Sequence, residues 1–132
     1  MKGTCLCESV TIESNDTNEF EACHCGICRR WGGGPFLAVH CGSNIHITGK
    51  ESVKVFDSSE WAERAFCNNC GTHLYYHLKP SDEYIVPLGF FGVDKGFTFK
   101  EQIFIDKKPD FYEFSNKTEN LTEQQVLEKF GA

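Results

Sequence analysis

A mainly β fold, a small antiparallel domain closed by a short C-terminal α-helix, is what this sequence predicts, on three observations. Short segments rich in β-branched and aromatic residues recur along most of the chain. Gly, Asn, Asp and Ser separate them at a spacing too tight for alternating strand–helix units. Only the last dozen residues carry a helix signature.

In order, the expected strands are "SVTIES", "PFLAVHC", "IHITG", "SVKVFDS", "THLYYHL", "EYIVPLGFF", "FTFKEQIFI" and "DFYEF". The segment "HCGSNIH" around Gly42 reads as a hairpin turn, and Pro80-Ser81-Asp82 as another. Residues 115–120 form a polar linker and 121–131 the helix, all within one domain spanning 1–132. Thr122 stands at the N-cap with Gln125 three residues on, which is a capping box. Leu121 is placed to staple onto Val126, Val126 and Phe130 share a face, and Gly131 ends the helix.

Charge narrows the function. Thirteen Lys and Arg against 19 Asp and Glu leave a net charge of −6 and no basic stripe, so nucleic acid is not an expected partner. No apolar run is long enough for a signal peptide core or for a membrane span of about 20 residues. The expectation is a cytoplasmic protein without membrane contact, in a compartment that keeps thiols reduced. Eight cysteines then point to metal or catalysis, because the 40% apolar composition already provides a core.

The cysteines fall into groups. Cys5 and Cys7 form a C-x-C whose side chains would share one face of an extended strand. Cys67 and Cys70 form a C-x-x-C followed by Gly71, a turn in which two sulfurs converge on one ion. Together they make a closed four-thiolate site for a structural zinc. A redox role for Cys67 and Cys70 would need a βαβ context that the pattern lacks. Cys23, Cys25 and Cys28 remain as a group of three on one loop. Catalytic zinc sites keep three protein ligands and an open fourth position, and these three thiols suit that arrangement. The second zinc is expected to be the more labile of the two.

The stretches "GTCLC", "CHCGICRRWGGGPF", "FCNNCGTHLYY" and "IFIDKKPDFYEF" resemble, in this order, the motifs of the glutathione-dependent formaldehyde-activating enzyme family, which includes centromere protein V. The resemblance runs from Gly3 to Phe114. It implies a β-rich GFA-type zinc domain, a structural zinc on Cys5, Cys7, Cys67 and Cys70, and a second zinc on Cys23, Cys25 and Cys28. It also implies carbon–sulfur lyase chemistry, the reversible joining of glutathione to formaldehyde.

Zinc held by three thiolates is a weaker Lewis acid than zinc held by imidazoles, and it suits a site that receives a substrate thiol. The expected partners are thus a small thiol, glutathione-like, and a small aldehyde. Arg29 and Arg30 directly follow the last ligand and would bind the thiol's carboxylates, or else stand as solvated surface charges or offset the negative centre. His24 is expected to point away from the metal, since alternate side chains diverge in extended chain. Gly32, Gly33 and Gly34 read as a turn before the next strand, His73 and His77 as strand residues, and Cys41 as a buried small hydrophobe, a fourth ligand being its alternative. The competing reading from another class is a non-catalytic binding module with two structural zincs, in which the second site is closed.

Overall fold

The computed structural model describes residues 1–129. The first half of the chain carries β1 (Lys2–Thr4), β2 (Thr11–Ser14), β3 (Glu19–Cys23), α1 (Gly26–Gly32), β4 (Phe36–Gly42), β5 (Ile45–Thr48) and β6 (Val53–Phe56). The second half carries β7 (Ala62–Cys67), β8 (His73–Leu78), β9 (Glu83–Pro87), β10 (Thr98–Ile103), β11 (Glu119–Leu121) and α2 (Glu123–Lys129). Short 3₁₀ turns follow β5, β9 and β10. The fold is predominantly β with a short C-terminal helix, as the pattern of short apolar segments predicts.

The chain divides into two compact units, each interleaved in sequence. One contains Met1–Asn18 and Val39–Gly96. In it, β1, β2 and β5 form an antiparallel sheet in that order, and β9, β8, β7 and β6 form an antiparallel ladder. Ile12, Val10, Leu74, Ala65 and Val86 are fully buried there. Alternation explains the choice: Ile12 faces inward while Thr11 and Glu13 do not. The predicted turn at Pro80-Ser81-Asp82 joins β8 to β9, with Asp82 N–H donating to the Lys79 carbonyl at 3.4 Å.

The other unit contains Glu19–Ala38 and the described residues from Phe97 onward. Its strands run β11, β10, β3, β4. The β3–β4 pair is antiparallel, whereas β10 pairs in parallel with both β3 and β11. Phe20 of β3 stacks on Phe99 of β10 (4.7 Å between centroids), and Phe99 meets Phe114 edge to face (5.1 Å).

Several expectations are corrected. Gly42 does not turn a hairpin, because β5 pairs with β2 and not with β4. The segment "DFYEF" is irregular, not a strand. Lys108 explains it: its Nζ donates to the carbonyls of Pro109 (3.0 Å) and Tyr112 (2.6 Å), groups a strand would give to a neighbour. Residues 119–121, read as linker and helix start, form β11. The capping box forms as expected, with Gln125 N–H donating to Thr122 Oγ1 (3.2 Å) and Thr122 N–H donating to Gln125 Oε1 (2.8 Å). Val126 is buried on the helix's inner side, while Phe130 and Gly131 lie outside the described residues.

Candidate metal centres and active site

In the first unit the sulfurs of Cys5, Cys7, Cys67 and Cys70 lie within 4.8 Å of one another. The Cys5–Cys7 and Cys7–Cys67 separations are both 3.6 Å. A disulfide would bring two sulfurs to about 2.05 Å, whereas four thiolates bound at about 2.3 Å around a tetrahedral zinc stand roughly 3.8 Å apart. The donor set therefore fits a metal. Convergence of Cys5 and Cys7 comes from a turn, not from the extended strand expected: β1 ends at Thr4, and Glu8 N–H donates to the Cys5 carbonyl at 2.9 Å. On the other side, Gly71 takes a φ of +81°, which lets its N–H close back onto the Cys67 carbonyl at 2.8 Å.

Backbone donors are aimed at the sulfurs. Val10 N–H reaches Cys5 Sγ at 3.3 Å, and Asn69 N–H reaches Cys67 Sγ at 3.4 Å. Such donors favour the thiolate over the thiol. Hydrogen bonds from Ser9 and then Asn69 hold Cys7 down at about 5, while burial pushes Cys5 up. Cys7 thus ionises readily while its buried neighbour Cys5 resists, and a metal ion that binds both as thiolates would release the proton Cys5 holds.

The second unit holds the other group. Cys23, Cys25 and Cys28 bring their three sulfurs within 4.8 Å. Cys23 ends β3, Cys25 is the N-cap of α1, and Cys28 lies in the first turn of that helix. The three thiols thus belong to a strand end and a helix, not to the single loop expected. Cys25 replaces the usual Ser or Asp cap, its sulfur accepting the Cys28 N–H at 3.3 Å. Gly33 stops the helix with a φ of +88°, its N–H donating to the Arg29 carbonyl at 2.8 Å.

Hydrogen bonds from the Cys23 and Cys28 thiols hold Cys25 down at about 2, while hydrogen bonding with Cys25 and Cys28, and then burial, push Cys23 far up. Three ligand atoms leave one corner of a tetrahedron open. Among the described residues no fourth Cys, His, Asp or Glu joins this group. Cys41 stays apart, buried, its sulfur 3.6 Å from the Val39 carbonyl, as expected of a small hydrophobe.

His24 is fully buried, and both its ring nitrogens are taken up by side chains outside the cysteine group. Its Nε2 is 2.7 Å from Gln102 Oε1 and its Nδ1 is 2.8 Å from the Tyr112 hydroxyl. Burial lowers its pKa, as do the cations of Lys108 and Arg29. His73 and His77 lie on β8 as expected, His77 between Glu63 (3.0 Å) and Asp82 (2.8 Å).

Arg29 and Arg30 continue α1 beyond Cys28. Arg29 is half-buried, its Nε donating to the His24 carbonyl at 3.0 Å, while Arg30 is exposed. Both line an open cavity of about 510 Å³. Gly33, Gly34 and Pro35 form one wall, and Phe111, Tyr112, Glu113 and Phe114 the other. Sequence reasoning assigned no role to Tyr112 or Gln102. For Tyr112 the available signal was the stretch "IFIDKKPDFYEF", which carried the resemblance while its individual side chains had no motif chemistry of their own; Gln102 lies just before that stretch and had none.

Comparison with known proteins agrees with this geometry. Residues 1–107 match the family described as glutathione-dependent formaldehyde-activating enzyme. A relative named as an uncharacterized lyase of Schizosaccharomyces pombe is 36% identical over 128 residues, covering 96% of this chain and 93% of the relative. A crystal structure of a Rhodobacter sphaeroides protein superposes with a TM-score of 0.61 at 29% identity, covering 71% of this chain and 91% of that one. With its two cysteine clusters, its arginine-lined cavity and these matches, the chain belongs to the glutathione-dependent formaldehyde-activating enzyme family, whose role here is catalytic and lyase-like.

Proposed function

We propose that this protein catalyses the reversible addition of a small thiol of the glutathione class to a small aldehyde such as formaldehyde, in a reducing cytoplasm. The observation that carries the reading is one helix. α1 holds Cys28, with Cys25 as its cap, and the same helix presents Arg29 and Arg30 to an open cavity. Cys5, Cys7, Cys67 and Cys70 would hold a structural zinc, and Cys23, Cys25 and Cys28 a second, catalytic one. Zinc at the second centre would supply positive charge that lowers the pKa of a thiol arriving beside it.

The chain's own residues do the rest. Arg29 and Arg30 bind the carboxylates of the incoming thiol, in the forked geometry that guanidinium groups favour. The rings of Phe111, Tyr112 and Phe114 wall the cavity and reduce water around the aldehyde. The thiol gives up its proton and its sulfur forms a bond to the carbonyl carbon. The carbonyl π pair moves to oxygen, which takes up a proton to give a hydroxymethyl thioether. The reverse breaks the carbon–sulfur bond and returns thiol and aldehyde.

Exchange NMR on mixed glutathione and formaldehyde, with and without zinc-loaded protein, tests the reaction. Catalysis should raise the exchange rate above the spontaneous one, and Arg29→Ala with Arg30→Ala should remove most of the gain for glutathione while sparing mercaptoethanol. An unchanged rate with both thiols would overturn the reading in favour of a non-catalytic binding module.

A further inference from the structure

The cavity is lined by charges of both signs, Arg29 and Arg30 from α1 and Glu113 from the opposite wall. Arg29 spends its Nε on the His24 carbonyl at 3.0 Å, which leaves the terminal nitrogens of its guanidinium for a ligand. Among the described residues the side chains of Arg30 and Glu113 pair neither with each other nor with any other group. Lys108, on the same segment as Glu113, is committed elsewhere, its Nζ donating to the carbonyls of Pro109 at 3.0 Å and Tyr112 at 2.6 Å. The second of those bonds fixes the backbone just before Glu113. Phe114, packed edge to face on Phe99 at 5.1 Å, fixes it just after. Glu113 is thus a free carboxylate on a held backbone, facing a free guanidinium across the cavity without pairing to it. Charges that do not neutralise one another are open to a ligand carrying the complementary set. Glutathione carries two carboxylates and one ammonium, which match two guanidiniums and one carboxylate sign for sign. A thiol with carboxylates alone would leave Glu113 unmatched and be repelled by it.

We propose that Glu113 is a specificity-determining residue that binds the α-ammonium of the thiol substrate, so that the cavity selects thiols bearing a free α-amino-acid head over thiols bearing carboxylates alone. The inference rests on the thiol–aldehyde reading and deepens it by naming the substrate class. An ammonium only donates and an ionised carboxylate only accepts, so the direction of these hydrogen bonds is fixed. The carboxylates of the same ligand stay with the arginines. Glu113 takes no part in making or breaking the carbon–sulfur bond. Its contribution is to ground state and transition state alike, and it acts on KM without changing kcat.

Calorimetric titration of the whole zinc-loaded protein tests this with two ligands, glutathione and its deaminated analogue glutaryl-cysteinyl-glycine. They share the thiol and both carboxylates and differ only in the amine. The unaltered protein should bind glutathione about fivefold more tightly than the analogue, the scale of an exposed charge pair. Glu113→Gln should erase that preference with zinc content and Tm unchanged, and the ligand and side-chain changes together form a cycle that isolates the contact. Asp110→Asn, which removes an exposed negative charge from the same segment outside the cavity, should preserve the preference. Equal affinity for both compounds in the unaltered protein, or a preference that survives Glu113→Gln, would overturn the proposal while leaving the thiol–aldehyde reading intact. So would an equal loss of preference in Asp110→Asn, the mark of a diffuse field in place of a contact. Failure of the unaltered protein to bind either compound would instead remove the glutathione reading, and the proposal with it.

Discussion

Cysteine sets the behaviour of single residues here, and position decides what each one does. Cys67 is fully buried among three other sulfurs, with Asn69 N–H aimed at it, so Cys67→Ser should abolish one zinc equivalent. Structural zinc contributes on the order of 10 kcal/mol to folding in isolated finger peptides, which is comparable to the whole stability of a small domain. The variant should be insoluble or protease-sensitive, checked by limited proteolysis beside metal analysis. Cys41 is also buried but lies outside both clusters among the described residues. Cys41→Ala should retain full zinc content and lose only about 1 kcal/mol by denaturant titration, the effect of a small cavity. Glu101 gives a pH test. It is buried opposite Glu21 in the β3–β10 register, with Lys129 Nζ 3.5 Å away. Burial first, and then the hydrogen bond and charge of Glu21, raise its pKa above the ordinary 4.5, against the pull of Lys129. A raised folded-state pKa favours the protonated form, so this group's contribution is full below the unfolded pKa and is lost as pH rises through the folded value. Glu101→Gln should therefore gain stability relative to the parent above that range and match it at lower pH. Melting curves of both proteins across pH, read as a difference, check the sign.

At the scale of elements, the two helices contrast in what marks them. α2 announces itself through Thr122 and Gln125, and both reciprocal hydrogen bonds form. Thr122→Ala should destabilise this helix by about 1 kcal/mol. Hydrogen exchange would register the change in α2 amides while β10 and β3 stay protected. α1 has seven residues, a cysteine cap and a glycine at each end, so no apolar period or ordinary cap betrays it. The strands show the same division. Those of the antiparallel ladder β6 to β9 are legible because each segment is bounded by turn residues. β1, β3 and β11 are short or half-polar, and only their pairing partners make them strands.

At the scale of the whole molecule, each compact unit owns one cluster: four sulfurs in the first, three in the second. Four ligands drawn from two distant segments should release metal more slowly than three drawn from residues 23–28. Two zinc equivalents are therefore expected in gently prepared protein and one after brief exposure to a mild chelator, with the fold retained by circular dichroism. Loss of both metals together would count against different roles for the two centres.

The sequence by itself determined that the protein is mainly β, that its C-terminal segment is a capped helix, and which seven cysteines form metal-type groups. Those features are local: a strand's composition, a cap and its partner three residues on, and a C-x-x-C turn are all read within a few positions. Tertiary structure alone decided that Cys5 and Cys7 converge through a turn and that β10 runs parallel to β3. It also decided that Cys23, Cys25 and Cys28 straddle a strand end and a helix. The same holds for Tyr112, which meets His24 across 88 positions of sequence, and for Gln102, which meets it across 78. Neither residue type is marked by its neighbours, because the bond that gives each its role is made only when the chain returns to β3.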